Sequence, residues 1–362
     1  MGRSLIAIDR LQSQLLLGNA LTTPHEVVSH LGAMQAQDIL GSLWAIGARM
    51  RGGDESDVER AVAERKIVRC WPMRGTLHFV AAEDVRWMLS LHAPRVLKRS
   101  RTRLERDFDL DAATLRKCRT IIERALRGGH ALTRSEIYAA LEREKIATRD
   151  SRGLRILFAI AHEQHICFGP KRGKQPTFVL LDEWIPEPSK KTREESLAEL
   201  ARRYFRGHGP ATAADLMWWS GLTMKEVNEA IALAGQTDGR WQMADGTTNR
   251  HLPSAIRHLS SKKAPVRLLP PFDEFTVGYK DRSAIIDPRF ARYVNNGGGL
   301  LNAVVVINGR VEGTWKRTLG KTNVDITIAP FRKFSASEVS AIEREAKRYG
   351  KFVRREALVS IP

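Results

Sequence analysis

The sequence predicts an α+β protein of three repeated units, each a set of helices followed by a β-hairpin, with a small β-rich domain at the C-terminal end. Three observations carry this reading. Apolar residues recur at helical spacing through most of residues 4–233. The helical runs are interrupted by short β-branched stretches placed around turns. From about Pro265 the texture changes to alternating strands. At 362 residues, 43% of them hydrophobic, the chain has material for about two or three domains with sizeable cores.

Residues 4–17 carry Leu5, Ile8, Leu11, Leu15 and Leu16 at helical spacing and stop at Gly18-Asn19. Thr23-Pro24-His25-Glu26 starts a second helix, with threonine as N-cap, proline in the first turn and glutamate completing a capping box. That helix runs to about Leu31, a third from Ile39 to about Met50, and Glu55–Glu64 makes a short charged one. Ile67–Met73 and Thr76–Val80 read as strands joined by a turn at Arg74-Gly75. Helices followed by a two-stranded ribbon describe a winged helix, here residues 1–105. Its last helix runs from Glu83 to about Arg99 and leads into a basic run, Arg95, Lys98, Arg99, Arg101, Arg103 and Arg106.

The second unit, residues 106–184, repeats the order. Asp111–Leu126 is helical, Thr133 and Glu136 form a capping box, and Arg152–Gln164 is a third helix. Ile166–Gly169 and Thr177–Leu180 are strands around a basic tip, Pro170–Gln175, in which Arg172 and Lys174 suit a wing lying on phosphates. Ile185–Ser189 is the best linker in the chain. The third unit, residues 190–262, has helices at Arg193–Phe205, at Ala213–Trp219 capped by Thr212, and at Lys225–Leu233 capped by Thr223 with Glu226. Arg240–Met243 is its candidate first wing strand. In the last domain, residues 263–362, Val266–Leu269 and Ser283–Ile286 are strand-like. Asn302–Ile307 and Arg310–Lys316 form the clearest hairpin, turned by Asn308-Gly309, the preferred type I′ pair. Val324–Ile328 continues the sheet and Ser337–Tyr349 makes a helix.

The formal net charge is +18. A field that positive favours a polyanion, with nucleic acid first and an anionic membrane second. No stretch of 18 apolar residues, no signal-peptide pattern and no myristoylation pattern is present, so the expected location is the cytoplasm and no membrane partner is expected. Cys70, Cys118 and Cys167 are widely spaced and read as buried structural thiols. His162 and His165 have metal-ligand spacing but lack a third ligand, and a polar helix face is the better reading. Neither metal nor cofactor is expected. No Walker loop, GxSxG or GxGxxG occurs, and Gly297-Gly298-Gly299 reads as a loop. No heptad seam points to a dimer, so a monomer is expected.

Between the second and third helices stands Met34-Gln35-Ala36-Gln37-Asp38. Glutamines two apart in an extended segment point to the same side. A primary amide donates and accepts hydrogen bonds but has no useful proton-transfer pKa. Such a pair can position water or a base edge but is not a general base; on the local sequence alone an exposed polar linker between two helices is the favoured reading.

Four stretches in the same order resemble the winged-helix DNA glycosylases of the AlkZ and YcaQ type. They are Gln35-Ala36-Gln37, Trp71-Pro72-Met73-Arg74-Gly75-Thr76-Leu77-His78, Leu269-Pro270-Pro271-Phe272-Asp273-Glu274 and Gly313-Thr314-Trp315-Lys316-Arg317. The resemblance implies a C-shaped body of three winged helices with a basic concave face. It implies a monofunctional glycosylase acting on N7-alkylated guanine in double-stranded DNA, including crosslinks in some members. The Gln–hydrophobic–Gln pattern implies Gln35 and Gln37 as the catalytic pair and an AlkZ-like rather than YcaQ-like member. Ala36 is smaller than the expected middle residue, and Asp38 lies one place too late to replace the second glutamine.

The remaining candidates follow from their surroundings. Arg74, Thr76 and His78 lie in the first wing and either contact phosphate or form a solvated turn and strand. Trp315, Lys316 and Arg317 end the C-terminal hairpin; the two cations suit DNA, and the tryptophan either enters a groove or packs on its sheet. Trp218-Trp219 reads as helix packing. Asp273-Glu274 caps a turn or pairs with arginines, with a role at the site as the alternative. The competing function is a winged-helix transcription regulator without catalysis, which predicts dimeric, sequence-specific binding.

Overall fold

The structure is a computed structural model and describes residues 3–18, 21–187, 191–237, 265–295, 297 and 299–362. By contacts it divides into two compact units. One joins Met1–Val58 to Leu197–Pro362, and the other is Glu59–Ser196. Among the described residues no helix is long and apolar enough to cross a membrane.

The chain opens with α1 (Arg3–Ser13) and α2 (Pro24–Leu31). The expected capping box starts α2: Thr23 Oγ1 accepts the Glu26 N–H at 3.2 Å, and Glu26 Oε2 accepts the Thr23 N–H at 2.9 Å. β1 (Met34–Gln35), α3 (Ile39–Gly47) and α4 (Glu55–Ala63) follow.

Next come β2 (Ile67–Met73) and β3 (Thr76–Ala81), paired antiparallel, within the Glu59–Ser196 unit. Arg74 and Gly75 turn between them with φ of 55° and 71°. Two successive positive φ angles make a tight hairpin, which costs an L-residue such as arginine roughly 1–2 kcal/mol and glycine little. α5 (Val85–Phe108) is longer than expected. Its last turns are rich in arginine and carry i,i+4 pairs, Arg101–Glu105 at 3.0 Å and Arg103–Asp107 at 3.5 Å, so the basic run extends the helix.

α6 (Ala112–Leu126), β4 (Leu132–Thr133), α7 (Arg134–Arg143), α8 (Arg152–His162), β5 (Ile166–Phe168) and β6 (Thr177–Leu180) come next, then a short α9 (Leu181–Trp184). The sheet order β4-β6-β5 completes a winged helix. Its core joins Ile122 and Leu126 of α6, Ile137 of α7 and Ile156 and Ile160 of α8 to Phe168 and Phe178 of the hairpin. Each such side chain contributes about 1.5–3 kcal/mol by leaving water. His162 corrects the expectation of a polar face: it is 1% exposed and packs on Phe158 at 4.1 Å, because its position on α8 points into this core. His165 instead pairs with Glu123 at 2.9 Å. All three cysteines are free and buried, and burial pushes the Cys118 thiol up to about 11.

α10 (Arg193–His208), α11 (Ala213–Ser220) and α12 (Met224–Thr237) carry the chain back into the first unit; the first two start where the sequence suggests and α12 one residue before Lys225. The candidate strand Arg240–Met243 lies outside the described residues. β7 (Val266–Leu269), α13 (Glu274–Val277), α14 (Ala291–Val294), β8 (Val304–Ile307), β9 (Arg310–Leu319), β10 (Asn323–Pro330), α15 (Ala336–Phe352) and β11 (Glu356–Ser360) complete it. The five-stranded sheet runs β11-β10-β9-β8-β7, antiparallel except for β10 with β11. Asn308 and Gly309 make the expected turn, with φ of 51° and 78°. Ser283–Ile286 is a turn and not a strand: the Ile285 and Ile286 N–H groups both return to the Arg282 carbonyl, and the apolar run is buried as a plug.

Helix α3 is clamped to this sheet domain. Trp44 lies against Tyr349 at 5.1 Å and Phe352 at 5.2 Å, and its indole N–H donates to the Leu268 carbonyl at 2.6 Å. Gly47 is required there, since a Cβ at that position would stand 2.2 Å from the Phe352 ring. The segment before α3, which holds the glutamine pair, is therefore fixed at its C-terminal end.

Candidate active site

The two glutamines do share a side. Gln35 sits in β1 and is 9% exposed, whereas Gln37 is exposed. Gln35 Nε2 donates to Gln37 Oε1 at 2.7 Å, which joins the amides into one unit. Ala36 between them is fully buried. Beside the pair, Ile39 and Leu40 are 41% and 43% exposed, an apolar rim at the start of α3.

Asp38 occupies the N-cap position of α3 but makes no cap hydrogen bond. Its Oδ2 pairs with Arg317 at 3.2 Å, and Gly41 leaves room for that carboxylate, since a Cβ there would lie 2.5 Å from Oδ2. The C-terminal hairpin thus reaches the glutamine segment through one of its predicted DNA-binding residues. Arg317 is half-buried and lies 5.8 Å from the Tyr349 ring centroid, while Lys316 is exposed. Trp315 is 3% exposed, donates to the Leu269 carbonyl at 2.8 Å and meets Tyr349 edge-on. That geometry matches the packing alternative rather than the groove alternative.

Behind the pair lies a buried polar layer. The Gln35 backbone N–H donates to Glu274 Oε1 at 2.7 Å. Glu274 Oε2 accepts the Trp219 indole N–H at 2.9 Å and stands 3.2 Å from His208 Nε2. Asp273 caps α13 and forms a two-pronged pair with Arg49, both contacts 2.8 Å and both side chains fully buried. Arg49 also donates to Gln14 Oε1 at 2.7 Å, Gln14 donates to the Tyr279 hydroxyl at 3.0 Å, and Tyr279 donates to the His208 carbonyl at 2.9 Å. Burial pushes the Tyr279 and Tyr204 hydroxyls well above their ordinary pKa, so both are neutral donors here. His208, Arg49 and Gln14 did not stand out in the sequence, and Trp219 was read only as helix packing, without its bond to Glu274. His208 sits in an unusual Gly-His-Gly-Pro stretch, but nothing local ties it to a partner 66 residues away.

The other candidates lie in the Glu59–Ser196 unit. His78 is fully buried, its Nδ1 facing the Thr76 carbonyl at 2.9 Å and its Nε2 facing Arg74 at 3.4 Å. Arg74 and Thr76 are half-buried at the hairpin turn. In the second wing Arg172 is exposed but pairs with Glu136 at 2.7 Å and donates to the Ala131 carbonyl. Lys171 pairs with Glu59, and Lys174 is exposed. Among the described residues no three His, Cys, Asp or Glu side chains are grouped to hold a metal ion. Trp218-Trp219 divides: Trp219 is buried and Trp218 is 47% exposed.

The chain is 27% identical to the interstrand DNA cross-link repair glycosylase of Streptomyces sahachiroi, over 93% of this chain and 92% of that protein. Its fold matches the solved structure of the DNA glycosylase AlkZ of Streptomyces sahachiroi with a TM-score of 0.77, at 23% identity, over 99% of each chain. Residues 28–352 match the family described as DNA glycosylase AlkZ-like, and the chain belongs to that family of DNA glycosylases.

Proposed function

We propose that this chain hydrolyses the N-glycosidic bond of N7-alkylated guanine in duplex DNA, with Gln35 and Gln37 holding the attacking water. The observation that carries the reading is the bonded amide pair, one member buried and the other exposed. N7 alkylation makes guanine cationic and hence a good leaving group, so little acid catalysis is needed. What remains is delivery of water to C1′ and tolerance of positive charge on the sugar. The Gln35 bond orients the Gln37 amide. The exposed amide then presents a donor and a second acceptor lone pair to water and sugar, without a titration step. No metal ion and no covalent enzyme intermediate enters this scheme, so the product is an intact abasic site.

The substrate class extends to bulky adducts and interstrand crosslinks. The name of the Streptomyces relative supports this, as does the apolar rim at Ile39 and Leu40. A crosslinked base cannot be flipped fully out of its duplex because it is tied to the other strand. Attack along a groove, with the exposed Gln37 leading, suits such a lesion. The test is base release in EDTA from duplexes carrying a single N7-methylguanine or one crosslink. Free base, with strand breaks only after alkali, is expected. No release from either duplex, or release only with added divalent metal, would overturn the proposal.

A further inference from the structure

Gln35 is held by its backbone as well as by its side chain. Its N–H meets Glu274, a carboxylate only 1% exposed. The other carboxylate oxygen is occupied by Trp219 and His208. His208 is fully buried, stacks on Tyr204 at 4.7 Å and 14°, and faces the Tyr204 carbonyl with Nδ1 at 3.3 Å. These partners come from β1, α10 and α11 and leave the carboxylate, at the start of α13, little freedom to rotate. Glu274 is buried, so it reaches the glutamine pair through its bond to the Gln35 N–H and not through contact with DNA or solvent water.

We propose that Glu274, braced by His208 and Trp219, is the positioning residue of the glutamine pair. By fixing the Gln35 backbone it sets where Gln35 Nε2 lies and thereby which way the Gln37 amide points. The proposal rests on the reading of that pair as the water-holding group.

Glu274→Gln tests it with almost no change of shape. An amide offers one acceptor end and one donor end where the carboxylate offers two acceptors. It satisfies the Gln35 N–H or the Trp219 N–H, not both. Single-turnover excision should fall by about tenfold or more, the scale of a lost bond to a charged group, with DNA affinity unchanged. The Gln35→Ala, Glu274→Gln double variant should be no slower than Gln35→Ala, because both changes act on one side chain. A readout free of substrate accompanies this: the side-chain amide resonances of ¹⁵N-glutamine-labelled protein, assigned with Gln35→Ala and Gln37→Ala. In Glu274→Gln the Gln35 and Gln37 signals should shift. Unmoved signals, or a rate loss that adds to that of Gln35→Ala, would overturn the proposal. Shifted signals in a protein whose wild type releases no base would keep the positioning role and remove the proposed reaction. If Glu274→Gln does not fold, Trp219→Phe removes only the indole donor and keeps a ring; the same signals should shift, and their constancy would overturn the proposal.

Discussion

The glutamine segment and the tip of the second wing spend their polar groups in opposite ways. Behind Gln35 the partners are buried, far apart in sequence and closed to solvent, as with Arg49 and Asp273. At the wing tip the cations Lys171 and Arg172 pair with Glu59 and Glu136 on the surface. Exposed pairs are worth about 0–1 kcal/mol and exchange readily for a phosphate, whereas a buried pair leaves an uncompensated charge when broken. The first arrangement fixes its groups, and the second leaves its cations able to exchange partners. A residue type alone does not tell which use it serves.

The largest effect that would break this comparison is on stability. Arg49→Met leaves Asp273 buried and unpaired, so unfolding free energy should drop by about 3–5 kcal/mol in a denaturant titration. A loss below about 1 kcal/mol would mean that the layer is not rigid.

A smaller effect is expected from pH. Burial holds the His30 imidazole, which donates to the Ser13 carbonyl at 2.7 Å, down at about 4 against an ordinary 6.5. The folded pKa is depressed, so the unfolded chain binds this proton first. The contribution is full above pH 6.5 and is lost as pH falls towards 4. Roughly 2 kcal/mol should disappear over that window, and His30→Gln, which still donates to Ser13, should flatten the fall. An unchanged slope in that variant would remove His30 from the account.

The smallest stability effect belongs to the wing. Arg172→Ala with Lys174→Ala should change stability by less than about 1 kcal/mol while weakening binding to any duplex. The slope of log affinity against log salt should fall by about one per lost phosphate contact. An unchanged slope would show that this wing does not lie on DNA.

Local signals in the sequence translated directly into structure. Thr23 with Glu26, Thr133 with Glu136 and Asn308 with Gly309 each act over a few residues, and each forms as read. Ser283–Ile286 misled because a short buried apolar run looks the same in a turn as in a strand. β11 was missed because its Glu356–Ser360 alternation is weak and it sits at the sheet edge. The contact-based units divide the chain within α4 and α10, where composition changes little. At the site, Gln35 and Gln37 were legible as a pair, but their role came from family resemblance. In the layer behind them Asp273 was legible as a cap that pairs with arginine, but the partners were not: Arg49 meets Asp273 across 224 residues and His208 meets Glu274 across 66, and neither spacing leaves a periodic trace. The family match also favours the glycosylase reading over a regulator.

The most direct test of the central claim is single-turnover release of N7-methylguanine from a duplex, with EDTA present, by wild type and by Gln37→Ala. Release by wild type, cut about 100-fold or more in the variant with DNA affinity retained, is the predicted result. Near-wild-type release by Gln37→Ala would contradict the assignment of the glutamine pair.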